Sequence, residues 1–223
     1  MYTLYIGNKN FSSWSLRPWV LMRHAGIPFH EQMVSLYAPD RVARIRAVSP
    51  NARVPCLHDG DTVVWDTLAI AEYLAERHPG LWPAAPSARA WARCVTAEMH
   101  SGFADLRNEF DMDLRQKLTR QPGLGAAADI ARIDAIWSEG RARFGGTGDF
   151  LCGAFGIVDA FWCPVAFRFQ SYGVTLTGPS LAYHQALLAL PAMVEWARAA
   201  ALETEGPGPD YQSTAAMSTS PRP

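Results

Sequence analysis

The period of the apolar positions switches several times in the first third of the chain and then settles into a helical one. Tyr2-Thr3-Leu4-Tyr5-Ile6 is a β-branched and aromatic run closed by Gly7-Asn8, which predicts a strand and a loop. Ser12, Ser13 and Ser15 precede Leu16, Trp19, Val20 and Met22, an apolar set at helical spacing that fades at Ala25-Gly26, so a first helix starts at the serines. Pro18 fits the start of that helix better than its middle, because proline has no N–H to give an interior turn. Residues 27–36 read as a second strand. The stretch with Arg41, Arg44 and Arg46 reads as a second helix, broken by Ser49-Pro50-Asn51. Two strand-like runs, 54–58 and 62–65, flank Asp59-Gly60-Asp61 and predict a hairpin. Asp66 opens a third helix carrying Leu68, Ile70, Ala71, Tyr73 and Leu74, which stops before Pro79-Gly80.

The resulting order, strand, helix, strand, helix, strand, strand, helix, predicts a mixed α/β unit over residues 1–78. Three prolines and a glycine between 79 and 86 mark a linker. Residues 87–202 keep the helical period, with breaks near 121–125, 145–148, 173–179 and Leu190-Pro191, and predict an all-α unit. Residues 203–223, rich in Gly, Pro, Ser and Thr, predict a disordered tail.

Composition narrows the function more than the fold. A chain of 223 residues, 49% hydrophobic, holds enough apolar material for two compact units. A net charge of -1 provides no field for nucleic acid or an anionic membrane surface. No apolar run approaches the roughly 18 residues of a membrane span, and the first residues do not read as a secretory leader. A cytoplasmic protein is expected. Cys56, Cys94, Cys152 and Cys163 are far apart and lack metal-ligand spacing, so free thiols are expected and no metal site. His30-Glu31 lacks the second histidine of a zinc-protease helix, and no phosphate-binding loop, GxSxG or GxGxxG occurs.

Four segments, in this order and spacing, resemble the glutathione S-transferase family: Phe11-Ser12-Ser13-Trp14-Ser15-Leu16-Arg17-Pro18-Trp19, Ser49-Pro50-Asn51-Ala52-Arg53-Val54-Pro55, Trp65-Asp66-Thr67-Leu68-Ala69-Ile70-Ala71-Glu72-Tyr73-Leu74 and Gly156-Ile157-Val158-Asp159-Ala160. The likeness covers residues 2–202 and is nearest to serine-type bacterial members of the zeta and theta kind. It implies a thioredoxin-like N-terminal domain, an all-α C-terminal domain, a homodimer, and glutathione as co-substrate in attack on a small hydrophobic electrophile. Because Trp14 stands where zeta-class enzymes have cysteine, conjugation or glutathione-dependent reduction is expected rather than isomerisation. The alternative is a non-catalytic relative that keeps the fold as a binding or scaffold module.

Glutathione's thiol, with an ordinary pKa of about 8.5, is only a few per cent ionised at pH 7, so a hydroxyl donor at a helix N-terminus that favours the thiolate would raise its reactivity. The paired serines of the family motif are Ser12 and Ser13 here, and Ser12 aligns with the catalytic one, while counting back from Arg17 favours Ser13. Val54 would offer its backbone to the tripeptide beside a cis Pro55, with Arg53 near the tripeptide. Asp66 would approach the α-ammonium, and Thr67 would hold the γ-glutamyl carboxylate at its helix start. Phe11 and Trp14, with His100, Phe103 and Arg107 on one helix face, are expected to border the electrophile pocket. Gly156 replaces the usual Ser or Thr of a capping box whose acid is Asp159, and Pro164 should bend that helix.

Overall fold

The computed structural model describes residues 1–206; residues 207–223 of the expected tail lie outside the described residues. The chain begins β1 (Tyr2–Ile6), α1 (Ser13–His24), β2 (Phe29–Met33), α2 (Arg41–Val48), β3 (Cys56–Asp59), β4 (Thr62–Trp65), α3 (Thr67–Arg77). The strands form one mixed sheet in the order β2-β1-β3-β4. The crossover through α1 makes β1 and β2 parallel, with Leu4 opposite Glu31, while β3 runs antiparallel to β1, with Leu4 opposite Leu57. Asp59-Gly60-Asp61 turns β3 into β4, and Gly60 takes the left-handed conformation, φ 56°, that such a turn demands. This is the thioredoxin-like order expected.

Helices then follow: α4 (Pro86–Ser101), α5 (Ala104–Glu109), α6 (Leu124–Phe144), α7 (Ile157–Tyr172), α8 (Gly178–Ala189) and α9 (Pro191–Ala201). No helix among the described residues is long and apolar enough to cross a membrane. α7 is buried along almost its whole length, and its sequence is apolar on every side, as a central helix must be. It packs against α1, α4 and α8, and α1 in turn touches β1, α3 and α9. Leu4, Ile6 and Leu57 of the sheet, Leu16, Trp19 and Val20 of α1, and Val158, Phe161 and Trp162 of α7 therefore form one continuous core.

Several local readings change. Pro18 lies inside α1 rather than at its first turn. Without an N–H it leaves the Trp14 carbonyl free of the usual helical bond. The helix that was to carry His100, Phe103 and Arg107 on one face ends at Ser101. Gly102 is extended and Phe103 is left-handed, φ 59°, so α5 starts in a new direction and the shared face does not exist. The break expected at 121–125 begins earlier, at Phe110, and the intervening segment is held by Asp113, whose carboxylate accepts the Arg115 N–H at 3.0 Å. Pro164 lies inside α7, as expected.

Gly156 is explained by its surroundings. A Cβ there would meet the Leu81 carbonyl at 2.7 Å, and that carbonyl itself accepts the Ile157 N–H at 3.0 Å. The segment before α4 thus satisfies the first free N–H group of the helix, Ile157, through its own backbone. Asp159 completes the helix start: Oδ2 accepts the Gly156 N–H at 3.0 Å, and Oδ1 accepts the Leu151 N–H at 3.1 Å and the Tyr183 hydroxyl at 3.0 Å.

Candidate functional site

A cleft of about 260 Å³ opens where the first turns of α1 and α3 meet the end of α4. Its lining is Trp14, Asn51, Arg53, Val54, Pro55, Asp66, Thr67 and His100. Two helix N-termini, each with unspent N–H groups and a positive dipole end, thus face one space.

The loop before α1 is built on Asn8, whose carbonyl accepts the Phe11 and Ser12 N–H groups at 3.2 and 2.8 Å, while Oδ1 accepts the Leu36 N–H at 2.8 Å. Ser12 is the N-cap residue: its Oγ accepts the Ser15 N–H at 3.4 Å and donates its own proton to Ser15 Oγ at 2.7 Å. Ser15 Oγ in turn accepts the Gly7 N–H at 3.0 Å. Ser13, the first helical residue, has a nearly buried hydroxyl that makes no hydrogen bond among the described residues. The two serines therefore differ: one hydroxyl is committed to the helix start, the other is free.

On the opposite side, Val54–Pro55 is cis, as the resemblance implied. Asp66 caps α3 by accepting the Leu68 N–H at 2.8 Å, and does so at φ 75°. That conformation, for a non-glycine residue, costs about 1–3 kcal/mol. Ala52, at φ 55°, is strained in the same way and sits between two lining residues. Thr67 is 1% exposed, yet its Oγ1 has no hydrogen-bond partner among the described residues. A buried hydroxyl left without a partner costs about 1–3 kcal/mol, which makes this group at the cleft a candidate ligand contact.

His100 closes the cleft. Its Nε2 is 3.4 Å from Asp66 Oδ2, its Nδ1 is buried without a partner among the described residues, and its ring meets Trp14 edge-on at 5.3 Å. Burial lowers its pKa, Arg17 and Arg107 lower it further, and Asp66 opposes them. Behind Trp14 lie two guanidinium groups, Arg17 at 4.2 Å from the ring centroid and Arg107 at 4.7 Å. Arg17 is buried and is pulled well below the ordinary arginine range by desolvation, with Arg107 and Arg168 adding to the effect.

Of the residues singled out from sequence, seven line the cleft: Trp14, Arg53, Val54, Pro55, Asp66, Thr67 and His100. Phe103 does not; the break at Gly102 turns it into the core, 5.8 Å from Trp162. Arg107 lies behind the Trp14 wall, and Phe11 packs edge-on to Tyr37 at 5.2 Å beneath the Arg115 guanidinium. Asn51 was read only as part of a helix-breaking loop. Its Oδ1 accepts from Ser49 Oγ at 2.9 Å and from the Arg53 N–H at 3.0 Å, which turns this loop toward the cleft. Such a side chain-to-backbone turn is what Asn favours, and was the available signal.

Fold and cleft together define a class: a thioredoxin-like unit joined to a helical one, with a cleft where they meet. Within that class, residues 11–77 match the family model of the glutathione S-transferase N-terminal domain. The chain is 29% identical over 124 residues to a probable maleylacetoacetate isomerase of Caenorhabditis elegans, covering 55% of this chain and 56% of that one. It is 23% identical over 162 residues to a stringent starvation protein A homolog of Haemophilus ducreyi, covering 71% of each. Among solved structures, it resembles a glutathione transferase homolog from Burkholderia gl BGR1 with bound glutathione, with TM-score 0.66, 22% identity and coverage of 90% of this chain and 97% of that. The theta class glutathione S-transferase of Xanthomonas axonopodis pv. citri, also with glutathione bound, gives TM-score 0.64 and 24% identity over 88% and 96%. The resemblance to glutathione S-transferases and the fold class read from sequence are borne out.

Proposed function

We propose that this protein binds glutathione in the cleft and transfers it to an electrophile, with Ser13 donating a hydrogen bond to the thiolate. The observation that carries the reading is a cleft lined by Trp14, the residue after Ser13 in the first turn of α1, and by the partnerless Thr67 at the start of α3; Ser12 and Ser13 themselves are not among its lining residues. In this reading Thr67 and its N–H take the γ-glutamyl carboxylate, Asp66 approaches the α-ammonium, Val54 offers backbone groups, and Arg53 faces the other end of the tripeptide. The units over 1–78 and 87–202 divide the work: the first holds glutathione, and the second, through His100, helps shape the wall facing the electrophile.

Choosing Ser13 rather than Ser12 follows from the proton count. A hydroxyl has one proton, and that of Ser12 goes to Ser15. The dipole end of α1 contributes roughly 0.3–1 kcal/mol and a hydrogen bond to a charged sulfur about 1.5–3 kcal/mol, together enough to lower the thiol pKa by one to two units.

Titrating intrinsic tryptophan fluorescence with glutathione checks binding, because Trp14 lines the cleft. Turnover with an aromatic halide then separates the serines. Ser13→Ala lowers kcat/KM by about tenfold or more with little change in binding, whereas Ser12→Ala mainly costs about 1 kcal/mol of stability. Full activity in Ser13→Ala sinks the serine assignment. A second reading, a glutathione-binding or scaffold protein without turnover, is favoured by the relatives named as stringent starvation protein A homologs; binding without turnover would select it.

A further inference from the structure

Asp66 and His100 both line the cleft, and they come from different units: Asp66 precedes α3, and His100 lies in the last turn of α4. His100 Nε2 stands within ion-pair distance, 3.4 Å, of Asp66 Oδ2. Both side chains can be reached from the cleft, being 24% exposed for His100 and 44% for Asp66. The other carboxylate oxygen is committed, since Oδ1 accepts the Leu68 N–H at 2.8 Å. Oδ2 is therefore the oxygen left for a ligand, and the His100 ring is its neighbour. Around that ring stand Trp14 and Arg17 from α1, Arg107 from α5 and, at 6.1 Å, the Phe161 ring from α7. Asp66 is the acid that acts on it, and Arg17 and Arg107 are the cations.

A carboxylate beside Nε2 favours the tautomer that carries its proton there, which leaves Nδ1 bare. Nδ1 is buried without a partner among the described residues, so a second proton would enter a place that offers it no acceptor. Burial, Arg17 and Arg107 hold the ring below the usual histidine range against the pull of Asp66, and at pH 7 it is neutral. In that state Asp66 keeps its negative charge for an incoming cation. In acid the imidazolium pairs with Asp66 and cancels that charge, and a second cation arriving at the same carboxylate meets its repulsion.

We propose that His100 makes ligand binding in this cleft proton-linked: the neutral ring leaves Asp66 to the α-ammonium of glutathione, and the imidazolium takes Asp66 over and expels the ligand. This rests on the glutathione reading and adds a regulation of the same site. The sign is fixed in both directions. Acid weakens binding, and by reciprocity an occupied site holds the second proton of His100 less tightly. A proton therefore leaves the ring for solvent when the ligand enters a protonated site.

The probe is S-methylglutathione, whose blocked sulfur does not titrate, so ionisation of the thiol cannot imitate the effect. The imidazole C–H signals of the full chain are followed by NMR from about pH 8 to about pH 4.5, with and without saturating probe. His100 is identified among the six histidines by the signal lost in His100→Gln. Saturation should lower its pKa by about one unit. The affinity, measured by calorimetry, should correspondingly fall by up to about tenfold toward the acid end in the wild type. His100→Gln, which keeps a polar side chain but takes no proton, should show no such fall. Should His100→Gln not fold, a nuclear Overhauser contact with the Trp14 ring assigns the His100 signal, and the wild-type titration carries the test. An unmoved His100 pKa in the saturated protein, or the same acid dependence in wild type and His100→Gln, overturns the proton linkage and leaves the glutathione reading standing. No binding of the probe or of glutathione at any pH overturns both.

Discussion

Asp159 has no exposed surface, and its carboxylate collects three donors, from Leu151, Gly156 and Tyr183, but no cation. Burial outweighs those hydrogen bonds and pushes its pKa up to about 6. An acid whose folded pKa lies above its unfolded value binds its proton more tightly when folded, so its contribution to stability is full at low pH and is lost as pH rises through about 6. The expected size is roughly 2–3 kcal/mol. Lowered histidines such as His100 and His184 act in the opposite direction, since they gain a proton more readily when unfolded. The measurement is therefore a difference: thermal unfolding at pH 4 and pH 7 for the wild type and for Asp159→Asn, since the loss runs from the unfolded carboxylate range up to about 6. The Asp159 component should be present in the first and absent in the second. An identical pH dependence in both would contradict it.

At the scale of elements, the start of α7 depends on a carbonyl from another segment. Leu81 caps Ile157 through its backbone, and the lack of a side chain at Gly156 is what lets it approach. Gly156→Ser, which restores the family's usual capping residue, should therefore destabilise the protein by about 1–3 kcal/mol instead of stabilising it, as chemical denaturation would show. From sequence the glycine read only as a replacement for the usual capping residue, since the carbonyl it accommodates lies 75 positions away and has no local signature. The contrast between what could and could not be read runs along this line. Ser12 to Arg17, Val54-Pro55 and Asp66-Thr67 were legible because a helix start or a hairpin is encoded by neighbours in the chain. The left-handed Phe103 that splits α4 from α5 was not. Phe103 is a bulky residue held at positive φ by its burial against Trp162, a contact that no local pattern announces. Arg17, likewise, was visible as a motif position, but its burial without a partner is a property of packing.

For the whole molecule, the sheet and the helices share one core, and the site lies on both. α9 adds a second tie: Trp196 donates to the Lys9 carbonyl at 2.9 Å, and its ring lies under the Lys9 ammonium, which also pairs with Glu31 at 2.6 Å. Just past α9, Glu203 accepts the Lys9 N–H at 2.5 Å and the Asn10 N–H at 3.1 Å. Those two amides belong to the loop that leads into Ser12 and Ser13. By ordinary expectation a surface loop exchanges its amide hydrogens within the fastest class. Here the carboxylate of a residue at the far end of the described chain shields them, so the amides of Lys9 and Asn10 should exchange in step with α9 rather than with loops such as 121–123. Glu203→Ala should release both amides together and loosen the serine-bearing turn while leaving the sheet amides protected. The exchange clock of that short loop would thus report on a helix nearly the whole sequence away.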